Sequence, residues 1–218
     1  MVRLAVFDLD GTLVDSRRDL ASAANALVVA RGATPLPDEA IGAMVGEGAA
    51  VLVRRVLAAS GLDPEWPGAL ARFLDLYDER LLEHTVPYEG ILEMLEALSA
   101  RMPLAVLTNK PQVHTERLLD GLGLSRYFRD VMGGDTGFGR KPDPAGLSEL
   151  ARRAGGPVTE VALIGDSPID LQTARNAGCP CVLVSYGFGY QAIPLSDSER
   201  TVPRAMLIPG ALDDLAGV

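Results

Sequence analysis

The sequence predicts an α/β fold, a doubly wound parallel sheet with an inserted all-helical segment, on three observations. Short, wholly apolar runs recur at residues 4–7, 104–107, 161–164 and 182–184, the pattern of strands covered on both faces. Helical periodicity alternates with these runs beyond about residue 84, as βα units require. Before that, residues 17–83 show helical patterns alone.

The first run, Leu4-Ala5-Val6-Phe7, leads directly into Asp8-Leu9-Asp10-Gly11-Thr12. Two carboxylates therefore leave the tip of a buried strand together, where ligands of open α/β sheets bind. An Asp-Gly helix-capping turn is the structural alternative for this pentapeptide alone. Next, residues 17–31 place Leu20, Ala23, Ala24, Leu27 and Val28 at amphipathic spacing, and Gly32 closes the helix. A second helix begins after Pro37-Asp38, and a third covers 49–60. A fourth runs over 67–83 with Leu70, Phe73, Leu74, Tyr77 and Leu81 on one face.

The alternating part begins with a helix from Glu89-Gly90 to residue 100. It continues with a strand at Leu104, a helix over 111–122 and a short strand at Val131-Met132. A helix over 143–154, a strand at Val161, a helix over 170–177 and a strand at Val182 complete a five-stranded core. The polar segment 191–204 reads as a surface loop. Residues 1–16 and 84–218 thus form the α/β core and 17–83 a helical cap, a mobile lid hinged at Asp15-Ser16 and at Val86-Pro87-Tyr88.

Two further strands end as the first does. The run at 104–107 delivers Thr108-Asn109-Lys110, and that at 161–164 delivers Gly165-Asp166-Ser167-Pro168-Ile169-Asp170. Lys141, in Gly139-Arg140-Lys141-Pro142-Asp143-Pro144, precedes a proline-started helix and supplies a fourth contribution to the same rim.

This succession of a double aspartate, a threonine, a lysine and an acidic pair resembles the haloacid dehalogenase-type phosphatases over nearly the whole chain. Val45-Gly46-Glu47-Gly48-Ala49, followed by Val51-Leu52-Val53-Arg54-Arg55-Val56-Leu57, is similar to the cap segment of their phosphoglycolate phosphatase branch. The resemblance implies a Rossmann-like core, a metal held by Asp8, Asp166 and the backbone carbonyl of Asp10, and a phosphoryl group met by the Thr108 hydroxyl and an Asn109 backbone N–H. Asp10 also separates phosphoester enzymes from the dehalogenases and phosphonate-cleaving relatives, which lack an aspartate there.

The residue types support this chemistry independently. A carboxylate attacking a phosphate dianion meets repulsion that cations must offset, and the chain offers the Lys141 ammonium and a hard divalent ion held by aspartates. Mg²⁺ suits Asp8 and Asp166, with Asp170 as a third ligand or as support behind them. Asp8 would act as nucleophile, forming an aspartyl-phosphate. Asp10 would protonate the leaving alkoxide and must carry a proton to do so, while metal-bound Asp8 stays ionised.

The expected function is hydrolysis of small phosphomonoesters, with 2-phosphoglycolate as the leading substrate. The alternatives are a β-phosphoglucomutase-like phosphosugar mutase, a sugar-phosphate phosphatase and, outside the enzymes, a phospho-receiver domain. A net charge of −9, with no Lys/Arg run longer than two, argues against nucleic acid as partner. The absence of a long apolar segment argues against a membrane, and the expected setting is cytoplasmic, as a monomer or homodimer. Cys179 and Cys181 read as reduced core thiols.

Other residues admit two readings each. Gly46-Glu47-Gly48 is either a loop reaching over the site or a plain turn. Arg54 and Arg55, like Arg17 and Arg18, are either solvated or directed at a substrate carboxylate. His84 and His114, near helix ends, read as solvated or as interacting with the helix dipole, and Trp66 as a plug of the helical bundle.

Overall fold

The computed structural model describes residues 1–215, so residues 216–218, assigned above to the core, lie outside the described residues. In chain order the elements are β1 (Leu4–Phe7), β2 (Val14–Asp15), α1 (Arg17–Val29), α2 (Asp38–Gly42), α3 (Ala49–Ala59), α4 (Ala69–Asp78) and β3 (Val86–Pro87). They continue with α5 (Ile91–Ser99), β4 (Leu104–Leu107), α6 (Gln112–Gly121), β5 (Asp130–Met132), α7 (Ala145–Ala154), β6 (Val161–Gly165), α8 (Pro168–Ala177), β7 (Cys181–Val184), β8 (Glu199–Val202) and α9 (Ile208–Leu215).

Six strands form one parallel sheet in the order β5-β4-β1-β6-β7-β8. Chain order runs outward from β1 in both directions, so the switch point lies at the carboxyl end of β1, between β4 and β6. Alternate side chains of each central strand enter opposite cores. Ala5, Phe7, Leu104, Val106, Ala162 and Ile164 join the larger core, whereas Leu4, Val6, Ala105, Leu107, Val161 and Leu163 face α7 and α8 in the smaller one. Burial on both faces explains why these strands read as unbroken apolar runs.

The sheet has one strand more than expected. β8 lies inside the segment read as a surface loop; only its ends, Glu199 and Val202, are buried, so no apolar run announces it. Buried Glu199 is held by the Arg175 guanidinium at 2.7 Å. α9 is likewise absent from the expected elements, and Ile208, Ala211, Leu212 and Leu215 pack it into the larger core.

All of α1–α4 lies between β2 and β3, which pair antiparallel as Val14 with Pro87 and Asp15 with Val86. The two segments read as hinges are thus hydrogen-bonded side by side. Asp19 of α1, wholly buried, reinforces the junction: its Oδ2 accepts from the backbone N–H of Thr85 at 2.8 Å, the Thr85 hydroxyl at 2.7 Å and the His84 N–H at 3.1 Å.

The observed helix bounds mostly depart from the expected ones by one or two residues, where ends fray. In α4 the departure is larger and the face is rotated. Ala69, Phe73, Leu76 and Tyr77 are buried, while Leu70 is exposed and Leu74 half-buried. His114 is buried beside Tyr77 and Asp78 rather than solvated, and burial lowers its pKa. Trp66 is half-buried against the larger core, with the Arg31 guanidinium 4.5 Å over its ring.

Candidate active site

The rim where β1, β4 and β6 end is built by tight backbone geometry. After β1 the Asp8 N–H donates to the Ile164 carbonyl at 2.9 Å, fixing the first carboxylate against the tip of β6. Gly11 then turns the chain at φ +89°, and the N–H groups of Thr12, Leu13 and Val14 all donate to the Leu9 carbonyl. A Cβ on Gly11 would lie 2.2 Å from Asp166 Oδ2, so only glycine admits that carboxylate beside the turn.

Four sequence-distant segments meet here. Lys141 is buried with its Nζ 2.8 Å from Asp8 Oδ1 and 2.6 Å from Asp170 Oδ1. Asp170 opens α8: its Oδ2 accepts from the Ser167 hydroxyl at 2.6 Å and the Ser167 N–H at 3.1 Å, closing a capping box. With both oxygens engaged, Asp170 is an anchor for the lysine and the loop. Asp166 accepts from the Gly189 N–H at 2.7 Å. Asn109 braces the rim through its side chain, donating to the carbonyls of Lys141 and Gly46 at 2.9 Å each and accepting from the Lys141 N–H at 2.8 Å. The Gly46-Glu47-Gly48 segment therefore does reach the strand tips. Thr108 is buried and lines the same cleft as Asp8, Asp10 and Asn109.

The electrostatics follow from burial and like charge. Burial pushes the Asp8 carboxyl up to about 6, with Lys141 pulling the other way and Asp170 adding repulsion. Burial also carries Asp166 well above its usual value, and the charges of Asp170 and Asp8 push it further. Lys141 stays charged: desolvation opposes its proton, but Asp170 and Asp8 raise its pKa beyond the ordinary value. The carboxylates of Asp8, Asp166 and Asp170 offer oxygens within 4.8 Å of one another. A cluster of hard oxygen donors, crowded and short of positive charge, fits a small divalent cation better than a transition metal that prefers nitrogen or sulfur.

Several participants were not singled out by their sequence. Lys110 is buried, its Nζ 3.0 and 3.1 Å from the Asp10 oxygens and 2.7 Å from the Tyr77 hydroxyl. Its position, third after β4 in the Thr108-Asn109-Lys110 tip, is the only signal that could have marked it. Ser16 donates to Asp10 Oδ1 at 2.6 Å, and the Thr12 hydroxyl approaches Asp166 Oδ1 at 3.4 Å. The arginines considered for substrate lie elsewhere. Arg54 pairs with Glu65 at 3.1 Å, Arg55 with Glu47 and Arg17 with Asp15 at 2.6 Å, each at least partly exposed. Cys179 and Cys181 are buried free thiols, and burial raises both pKa values, Cys179 to about 12.

The profile of the haloacid dehalogenase-like hydrolases matches residues 5–184. The chain is 43% identical over 201 residues to a phosphoglycolate phosphatase of Rhodospirillum rubrum, covering 88% of this chain and 83% of that protein. It is 40% identical over 205 residues to one from Agrobacterium fabrum, covering 91% and 86%. The crystal structure of a predicted phosphoglycolate phosphatase from Haemophilus somnus superimposes with a TM-score of 0.88 at 30% identity, over 97% of this chain and 98% of that one.

Proposed function

Because this chain belongs to the haloacid dehalogenase-like hydrolases, we propose that the cleft at the tips of β1 and β4 hydrolyses small phosphomonoesters through an aspartyl-phosphate, with 2-phosphoglycolate as substrate. The observation that carries the reading is the Lys141 ammonium 2.8 Å from Asp8, a cation already beside the carboxylate that attacks an anion.

Asp8 attacks phosphorus in line with the ester oxygen, the phosphorus–oxygen bond to the leaving group breaks, and the phosphoryl group passes to Asp8. Asp10 gives its proton to the departing alkoxide, then takes one from the water that attacks the aspartyl-phosphate, releasing inorganic phosphate. Lys141 offsets the meeting of like charges, and the Thr108 hydroxyl and Asn109 N–H bind phosphoryl oxygens. Asp8, Asp166 and the Asp10 carbonyl would hold Mg²⁺, which when bound supplies charge neutralisation and orients the phosphoryl group. Residues 17–83 serve as the cap, excluding bulk water from the covalent intermediate.

Among the described residues no helix is long and apolar enough to cross a membrane, and we place the enzyme in the cytoplasm with its small metabolite substrate.

Phosphate release from 2-phosphoglycolate, sugar phosphates and nucleotides, with Mg²⁺ or EDTA, tests the reading. Metal-dependent release, fastest from 2-phosphoglycolate, is expected. Sugar-phosphate isomerisation with little release would make the protein a mutase, and a long-lived phosphoprotein without turnover would make it a receiver.

A further inference from the structure

Lys110 has no part in the steps above, yet its side chain lines the cleft. Its ammonium is gripped from both sides of the site. Asp10, on the β1 tip, holds it at 3.0 and 3.1 Å, and the Tyr77 hydroxyl, on α4 of the helical insert, at 2.7 Å. The same ammonium lies 4.5 Å from the Tyr77 ring centroid. Its charge is paired with Asp10, which offsets the cost of burial. Orienting Asp10 does not require it, since Ser16 already donates to Asp10 Oδ1 at 2.6 Å.

Geometry ties this cation to the leaving group. Asp10 works at the bridging ester oxygen, so whatever hangs from that oxygen begins beside Asp10 and within reach of the ammonium bonded to it. In a phosphorylated 2-hydroxy acid the carboxylate is one carbon removed from the ester oxygen. The neighbouring side chains Leu20, Leu52, Phe73 and Leu74 are apolar and carry no charge to meet a carboxylate. Arg54 and Arg55 are committed to Glu65 and Glu47.

Resting on the phosphatase reading, we propose that Lys110, steadied by Tyr77, is the specificity residue that binds the substrate carboxylate and selects phosphomonoesters carrying one next to the ester carbon. The selectivity comes from a charge-assisted hydrogen bond that a neutral leaving group cannot form, and one contributor, Tyr77, comes from the insert.

The test compares kcat/KM for 2-phosphoglycolate and for ethyl phosphate, which lacks the carboxylate, in the Mg²⁺-loaded enzyme. In Lys110→Met the ratio should fall about 10- to 100-fold beyond any loss common to both substrates, mainly through KM for 2-phosphoglycolate, and Lys110→Arg should restore part of it. Glycolate should inhibit ethyl phosphate hydrolysis competitively in the native enzyme, and much less in Lys110→Met. Should that variant lack a cooperative unfolding transition, Tyr77→Phe carries the same comparison, with a fall of about 3-fold expected. A preference that survives these substitutions overturns the inference alone. A native enzyme that does not prefer 2-phosphoglycolate to ethyl phosphate overturns both it and the choice of substrate beneath it.

Discussion

The ammonium of Lys141 sits 2.8 Å from Asp8 Oδ1, so the proposed nucleophile and its nearest counter-charge form a buried pair before any substrate arrives. Replacing either should abolish turnover but with opposite structural consequences. Asp8→Asn leaves Lys141 with Asp170, and phosphate release should fall by about 10⁴-fold or more with the fold intact. Lys141→Met leaves two buried carboxylates without their cation, and about 3–5 kcal/mol of stability should go with the activity. Phosphate assays beside urea titrations distinguish the two.

Asp10→Asn should cost about 10²–10⁴-fold on an alkyl phosphate, whose alkoxide needs a proton to leave. On p-nitrophenyl phosphate, with its good leaving group, formation of the aspartyl-phosphate should suffer far less. A burst of p-nitrophenol followed by slow turnover is the expected trace, because the second step still lacks its base. Equal loss in the first step for both substrates would remove Asp10 from the acid role.

The raised pKa of Asp8 predicts how pH and metal act on stability. The folded chain holds that proton up to about 6, whereas the unfolded chain releases it near 3.8. Between those values the folded state binds more protons, so the contribution is fully present below the lower value. It is lost as pH rises through the upper one, by at most about 3 kcal/mol. Asp166 acts in the same direction. Without metal, the loss of thermal stability from pH 4.5 to 7 should therefore be smaller in Asp8→Asn than in the native chain, the opposing contribution of buried His114 being common to both. Mg²⁺ must displace the proton, so the increase in Tm that it produces should be larger at pH 7.5 than at pH 5. An equal or larger increase at pH 5 would contradict the proposed ligands.

Asp19→Ala tests the junction of the insert. It would strand the Thr85 hydroxyl and backbone N–H away from water and release the His84 N–H, at about 3 kcal/mol. For a chain of this size that is a drop in Tm of roughly 6–12 °C. Asp19→Asn, which keeps an acceptor, should lose less than half of that.

What could be read from the sequence was what burial writes in the plain alternation of apolar and polar. The strands at 4–7, 104–107 and 161–165 are covered on both faces, and the polar residues that break those runs stand at one rim in the structure. β8 escaped because it buries only its ends, and the pair β2 and β3 because two residues make no period. Lys110 and His114 escaped for another reason. A lone lysine or histidine looks solvated unless its partners are known, and Tyr77, which touches both, lies more than thirty positions earlier in the chain.

The side-by-side pairing of Val14–Asp15 with Val86–Pro87 brings the entry and exit of the helical insert to a single stalk. An insert so attached could be exchanged as a cassette without breaking the backbone from Asp8 to Asp10, provided its contacts from Gly46 to Asn109 and from Tyr77 to Lys110 were rebuilt. One hydrolytic engine could in that way acquire new leaving groups by transplanting a module, its chemistry inherited and only its choice of cargo renewed.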